Sequence, residues 1–160
     1  GYYGATLASY SDTDDTYSFK RLDAELIQHL PLLYGNWVLS GRARMQTILG
    51  DDDLVPHFLL PQLGSGSTLR GYPTGRFTDR NSLLTSAEFR WIPNRLGLDM
   101  AIFYDAGKVT SDRGDLDFKR LKTDWGFGLR LHSAVATALR IEAARGDEGW
   151  RLIITTGAPF

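Results

Sequence analysis

The feature that most limits what this chain can become is an alternation of apolar and polar residues, repeated in segment after segment. From Ser82 to Ile92 the odd positions are Leu83, Thr85, Ala87, Phe89 and Trp91, and the even ones include Ser82, Ser86, Glu88 and Arg90. Successive side chains of a β-strand point to opposite faces, so a period of two describes a strand with two chemically different sides. The same period sets Leu98, Met100, Ile102, Tyr104 and Ala106 against Asp99, Ala101, Phe103, Asp105 and Gly107. It sets Trp125, Phe127, Leu129 and Leu131 against Asp124, Gly126, Gly128, Arg130 and His132, and Val135, Thr137, Leu139 and Ile141 against Ala136, Ala138, Arg140 and Glu142. The last segment opposes Trp150, Leu152, Ile154, Thr156, Ala158 and Phe160 to Arg151, Ile153, Thr155 and Gly157. Upstream, Trp37, Leu39, Ala43 and Met45 oppose Asn36, Ser40, Arg42, Arg44 and Gln46. Two earlier segments, roughly Tyr2 to Tyr10 and Tyr17 to Leu30, are less regular. In the second, Tyr17 and Phe19 fall out of phase with Leu22, Leu26 and Leu30, which predicts a bulge. The reading is an all-β, antiparallel chain of eight strands at hairpin spacing.

Alternation alone does not say which face is inside. A soluble lipocalin-like barrel turns its apolar residues inward, whereas a membrane barrel turns them toward lipid. The polar face carries Arg42, Arg44, Arg90, Arg130, Arg140 and Arg151 against Glu88, Asp99, Asp105, Asp124 and Glu142. That near balance, rich in arginine and poor in lysine, suits an interior of paired charges better than a solvated surface. Trp37, Trp91, Trp125, Trp150 and Tyr104 sit near strand ends on the apolar face, as interfacial girdles do. The expectation is therefore a transmembrane β-barrel facing outer-membrane lipid. A net charge of -1 gives no electrostatic case for nucleic acid. There is no cysteine, hence no disulfide or thiolate metal site.

The connections alternate too. Pro31 to Gly35, Pro93 to Gly97 and the His132–Ala134 corner are short, while Ser11–Thr16, Gly50–Thr78 and Val109–Lys119 are longer. Short turns at one end and long loops at the other are the habit of outer-membrane barrels, with the long side extracellular. The carboxyl terminus then falls on the periplasmic side. "WRLIITTGAPF" alternates to its last residue and stops on an aromatic, as outer-membrane strands carrying an insertion signal do. Phe160 reads as that signal and as the natural end of the chain.

Other motifs carry less. "GSGSTLRG" spaces its glycines wrongly for a dinucleotide loop and no helix follows. Asp51 to Asp53 reads as a solvated loop tip, and His29, His57 and His132 lack metal spacing. Two Arg-Gly-Asp tripeptides, at Arg113 and Arg145, lie in expected turns where such residues are common. No nucleophile, base and orienting group can be assembled, so the chain is not expected to be an enzyme, and no cofactor is implied.

Taken in order, "GSGSTLRGY", "EFRW", "FYDAGKV", "WGFGLRL", "LRIEAARGDEGW" and the terminal Phe160 resemble the carboxyl-terminal half of the outer-membrane assembly-factor and surface-antigen superfamily, the BamA and TamA type. The resemblance covers about residues 36–160. It implies a sixteen-stranded barrel in which residues 50–78 fold back into the lumen, within a barrel domain spanning 1–160. It also implies that Arg70, flanked by Leu69, Gly71 and Tyr72, meets acidic residues of the inner wall, Asp105 and Glu88. Gly64 and Gly66 would turn the loop inward with positive φ, and Gly71 would let its backbone pass close to the wall. The last strand, with Trp150, Leu152, Ile154, Gly157 and Phe160, would form a weak seam and carry the insertion signal, Gly157 and Pro159 thinning its ladder.

Eight strands close into a barrel that their own side chains fill, leaving no room for so long a loop. The chain is thus expected to be half of a larger barrel, completed by a missing amino-terminal half or a second copy, and its opening at Gly1 inside a strand pattern favours the former. The function implied is insertion of client outer-membrane polypeptides, or translocation of secreted ones. The alternatives are a membrane anchor for an upstream passenger domain and an autonomous eight-stranded structural barrel.

Overall fold

The computed structural model describes residues 1–11, 18–32, 36–50, 55–93, 97–132 and 137–156. Eight strands make one antiparallel sheet: β1 (Tyr2–Ser11), β2 (Ser18–Leu32), β3 (Trp37–Leu49), β6 (Asn81–Trp91), β7 (Leu98–Thr110), β8 (Lys122–His132), β9 (Thr137–Gly146) and β10 (Gly149–Thr155). Two short strands, β4 (Gln62–Leu63) and β5 (Phe77–Thr78), pair with each other inside the long connection between β3 and β6. Each strand of the large sheet neighbours the next in sequence, and β1 and β10 form its two ends. Among the described residues these ends are not paired with each other, so the sheet is an open arc of antiparallel hairpins. No described helix is long and apolar enough to cross a membrane, a statement that does not bear on strands.

The alternation becomes two faces. Leu26, Leu39, Met100, Ile102, Tyr104, Trp125, Phe127, Leu129, Trp150, Leu152 and Ile154 are exposed on the outer face. Arg42, Glu88, Asp99, Asp105, Asp124, Arg130, Arg140 and Glu142 are buried on the inner face. An ordinary soluble sheet would do the reverse, because exposing this much contiguous apolar surface to water is unfavourable. Aromatic pairs stand at strand ends: Trp37 stacks on Trp91 with centroids 5.8 Å apart, and Trp125 meets Trp150 edge-on at 5.4 Å.

The expected bulge in the second strand is not there. β2 pairs without interruption with β1 and β3. Phe19 is simply an inward residue: it is buried and stacks on Tyr10, centroids 5.1 Å apart, while Leu22, Leu26 and Leu30 point outward. The irregularity that the sheet does show lies between Leu131 and His132, where β8 pairs with β9. Tyr17 lies outside the described residues, as do Asp51 to Asp53, Val135, Gly157, Pro159 and Phe160.

Register then builds rows across the inner face. One row runs His29, Ser40, Glu88, Phe103, Gly126, Ala144, Arg151, from β2 to β10. The row on one side of it contains Arg42, Ser86, Asp105 and Asp124, and the row on the other contains Arg90, Ala101, Gly128, Glu142 and Ile153. Acidic groups at Asp105, Glu88 and Glu142 thus come from three adjacent rows, and the small residues between them leave a trough. With one-residue precision required for this, a slip of register would move every such group to the opposite face.

The two faces make a direct prediction. Ile102→Arg places a charge in the middle of the outer band and lowers unfolding stability in lipid vesicles by about 2–4 kcal/mol. Thr110→Arg, at the strand end, lowers it by about 1 kcal/mol or less. Denaturant midpoints of the vesicle-inserted protein check both values, and equal effects contradict the assignment of faces.

Candidate functional site

The segment 55–80 leaves β3 and returns to β6 across the inner face of the sheet. A single turn of 3-10 helix (His57–Leu59) and the β4–β5 pair give it local structure. Gly64 reverses the chain with φ +98°, and a Cβ there would sit 2.2 Å from the Pro73 carbonyl oxygen. Gly66 does not share that conformation, contrary to expectation. Its hydrogen is needed for proximity instead, since a Cβ would lie 3.1 Å from the Ile153 side chain. Bonds from Ser65 N to Leu69 O and from Tyr72 N to Leu69 O, each 3.2 Å, fold the tip into consecutive turns. Within the tip Leu69, Arg70 and Tyr72 are all essentially inaccessible to solvent.

Arg70 is laid into the trough. Its Nε donates to Asp105 Oδ2 at 2.7 Å and its Nη2 to Asp105 Oδ1 at 3.0 Å, a planar two-point grip. Its Nη1 donates to Glu88 Oε2 at 3.1 Å and to Glu142 Oε1 at 3.4 Å. The guanidinium carbon rests 3.4 Å from the centre of the Phe103 ring. Phe103 in turn lies over Gly126, its partner across the strands, where a Cβ would come within 2.5 Å of the ring. Burial alone would weaken the hold of the guanidinium on its proton. The Asp105 hydrogen bonds and charge, with Glu142 and Glu88, outweigh that and hold Arg70 above the ordinary arginine value.

The carboxylates have further partners. Arg130 grips both oxygens of Glu88, at 2.7 and 2.6 Å, and also reaches Glu142 Oε1 at 3.1 Å. Arg90 Nη2 donates to Glu88 Oε1 at 2.8 Å, and Arg140 approaches Glu142 at 3.7 Å. Asp124 stands directly opposite Asp105 across β7 and β8, buried, with neither oxygen hydrogen-bonded among the described residues. The cluster thus holds Arg70, Arg90, Arg130 and Arg140 among Asp105, Glu88 and Glu142, with Asp124 beside them. Pairing of opposite charges through direct hydrogen bonds is what makes so much buried charge tolerable.

Around the charged centre the loop is fitted to the wall by shape. Gly71 passes so close that a Cβ would lie 2.6 Å from Asp124 Cβ and 2.7 Å from Gly146 N. Leu69 and Tyr72 pack with Leu63 and Leu84, flanked by Phe77 and Val109. Tyr72 donates its hydroxyl hydrogen to Thr123 O and accepts from Asp147 N, both at 3.2 Å. Burial pushes that hydroxyl above the usual tyrosine range, so it remains a donor. Three wall arginines hold the loop backbone: Arg42 on Ser67 O at 2.7 Å, Arg140 on Gly66 O at 2.7 Å, and Arg151 on Tyr72 O.

The structure therefore brings together Leu69, Arg70, Gly71, Tyr72, Glu88 and Asp105. Trp150, Leu152 and Ile154 lie apart from them, exposed on the outer face of β10. Sequence reading missed Glu142 as a third carboxylate for Arg70, Arg130 as the group that ties Glu88 to Glu142, and Phe103 as the floor. A signal existed for the last of these. Leu84, Phe103 and Ile153 are large apolar residues at positions of the polar face, and in the structure all three are buried on the loop side of the sheet. Among the described residues no group of three or more acidic or imidazole side chains is arranged to hold a metal.

Comparison with known proteins joins this geometry to a family. Residues 1–146 match the Omp85 superfamily domain. The chain belongs to the Omp85 superfamily. Its fold is similar to that of BamA from Haemophilus ducreyi lacking POTRA domains 1-3, with a TM-score of 0.69 at 17% sequence identity over 89% of this chain. The match covers 35% of the BamA chain, so this chain spans about a third of it. No curated protein sequence matches. Family and fold together make this a β-barrel chain of the outer-membrane Omp85 superfamily.

Three substitutions probe the site. Asp105→Ala leaves a buried guanidinium without its main partner and costs about 3–5 kcal/mol of loop docking, whereas Arg70→Met with Asp105→Ala costs less than Asp105→Ala alone. Gly71→Ala forces the tip off Asp124 and Gly146 and costs about 1–3 kcal/mol. Protease cleavage of segment 64–77 in the membrane-inserted protein checks them, and unchanged protection in Asp105→Ala contradicts the pairing.

Proposed function

We propose that this chain is the arginine-locked portion of an outer-membrane barrel that helps other polypeptides insert into, or cross, that membrane without bond-making chemistry. The reading rests chiefly on one observation: the tip of a long loop is buried against the concave face through Arg70, on Asp105, Glu88 and Glu142. A loop held so firmly by charge in an interior that must also be wetted is a device for occupying a lumen.

In this reading residues 50–78 fill the lumen of a larger barrel, and an amino-terminal half-barrel or a second copy supplies the remaining strands. The long connections, between β1 and β2, β3 and β6, and β7 and β8, face the cell exterior, and the carboxyl terminus faces the periplasm. The apolar outer face contacts outer-membrane lipid. β10 forms a seam with Trp150, Leu152 and Ile154 toward lipid. Client polypeptides, outer-membrane or secreted, would be admitted at that seam or through the lumen.

The test is reconstitution of the full-length protein in liposomes, with a urea-denatured client barrel added and its folding followed by heat-modifiable mobility. Client folding is expected to be faster than in empty vesicles, and Arg70→Ala is expected to remove most of the gain while leaving the barrel inserted. No acceleration by the parent protein sinks the assembly reading and favours a membrane anchor.

A further inference from the structure

The inner face of β10 is almost wholly engaged by the loop. This strand has β9 as its strand neighbour among the described residues. Its inward positions are Arg151, Ile153 and Thr155. Arg151 Nη1 donates to the carbonyl oxygens of Tyr72 and, at 3.5 Å, of Arg70. Ile153 is buried against Gly66, where a Cβ would come within 3.1 Å of its side chain. Thr155 Oγ1 accepts from Arg140 Nε at 3.1 Å, and the same guanidinium donates through Nη2 to Gly66 O at 2.7 Å. Two arginines, one on β9 and one on β10, thus each join the loop backbone to the edge strand. The hairpin turn is tied as well, because Tyr72 accepts from Asp147 N and Arg76 pairs with Glu148 at 2.7 Å.

We propose that the loop serves as the lateral support of β10, with Arg151 as the positioning residue that makes loop tip and edge strand move as one body. The physical argument is one of compensation. A strand at a seam, where one of its two pairings is weak, frays easily. Here the strand is instead held from its inner face by guanidinium-to-carbonyl bonds, which are stronger than neutral ones. Docking of the tip by Arg70 brings the Tyr72 and Arg70 carbonyls to Arg151. Release of the tip removes them, leaving Arg151 facing a vacated trough and the inner face of β10 without its support. The state of a buried loop is thereby transmitted to the strand where lipid and a client segment would compete for pairing. This inference rests on the reading of Arg70 as the lock.

The test is hydrogen exchange of the intact protein in lipid nanodiscs, comparing the parent with Arg70→Ala, Arg151→Ala and the double variant. Exchange at the β10 amides bonded to β9 is expected to rise about tenfold in each single variant, the loss of a charged hydrogen bond. The double variant should exceed either single one only slightly, because both act on the same linkage. If Arg70→Ala loosens segment 64–77 while β10 exchanges at the parent rate, the coupling is wrong and the lock stands. If Arg70→Ala loosens neither, lock and coupling both fall. Should Arg70→Ala not insert, Arg151→Lys and Arg151→Gln keep the question open to refutation. Lysine, which can still donate to one carbonyl, should restore part of the protection that glutamine loses, and parent-like exchange in both overturns the proposal.

Discussion

A guanidinium removed from water must be given back, in fixed positions, the hydrogen bonds and opposite charge it has lost. Much of the inner face from β6 to β9 follows from meeting that requirement for Arg70. Asp105 supplies a planar two-oxygen partner, Glu88 and Glu142 supply the remaining acceptors, and Phe103 supplies a π-face. Those partners come from three strands and three neighbouring rows, so they meet only if β6, β7, β8 and β9 are all in register. The loop and the sheet therefore certify one another. A correctly paired sheet creates the trough, and the occupied trough rewards correct pairing.

Much of the sheet could be read from the chain because period two is a local signal: each strand declares its faces without reference to the others. Arg70, Glu88 and Asp105 were visible as a short motif and two polar-face acids in recognisable surroundings. Glu142 was not, since it is 72 residues from Arg70 in sequence and reaches it through the register of β8 and β9. The bulge expected near Phe19 came from treating every aromatic as outward-facing, when a stack with Tyr10 satisfies that ring on the inside. Gly66 was assigned to conformation when its task is clearance. The general lesson lies with Leu84, Phe103 and Ile153. Apolar residues that interrupt a polar face mark where something is packed upon it, and a loop of this length is the obvious occupant.

The open arc also accounts for the division of labour between strands. β6, β7 and β9 carry the carboxylates that grip Arg70, and β10 carries none of them. β10 meets the loop with Arg151, a donor to backbone rather than to a carboxylate. Backbone carbonyls are always present whatever the loop sequence, but they are correctly placed only when the tip is seated. The strong, specific contact and the conformation-sensitive one are thus located on different strands.

One consequence concerns Gly126, which touches neither Arg70 nor any carboxylate of the cluster. Its hydrogen lies beneath Phe103, and Phe103 lies beneath the guanidinium. The thickness of that stack sets how far the arginine descends toward its acids. A methyl group at 126 would meet both the ring and, at 2.1 Å, the Ala143 carbonyl oxygen of the next strand, disturbing the β8–β9 pairing and the cation's seat together, so a residue with no polar atom beyond its own backbone helps to set the depth of the electrostatic latch.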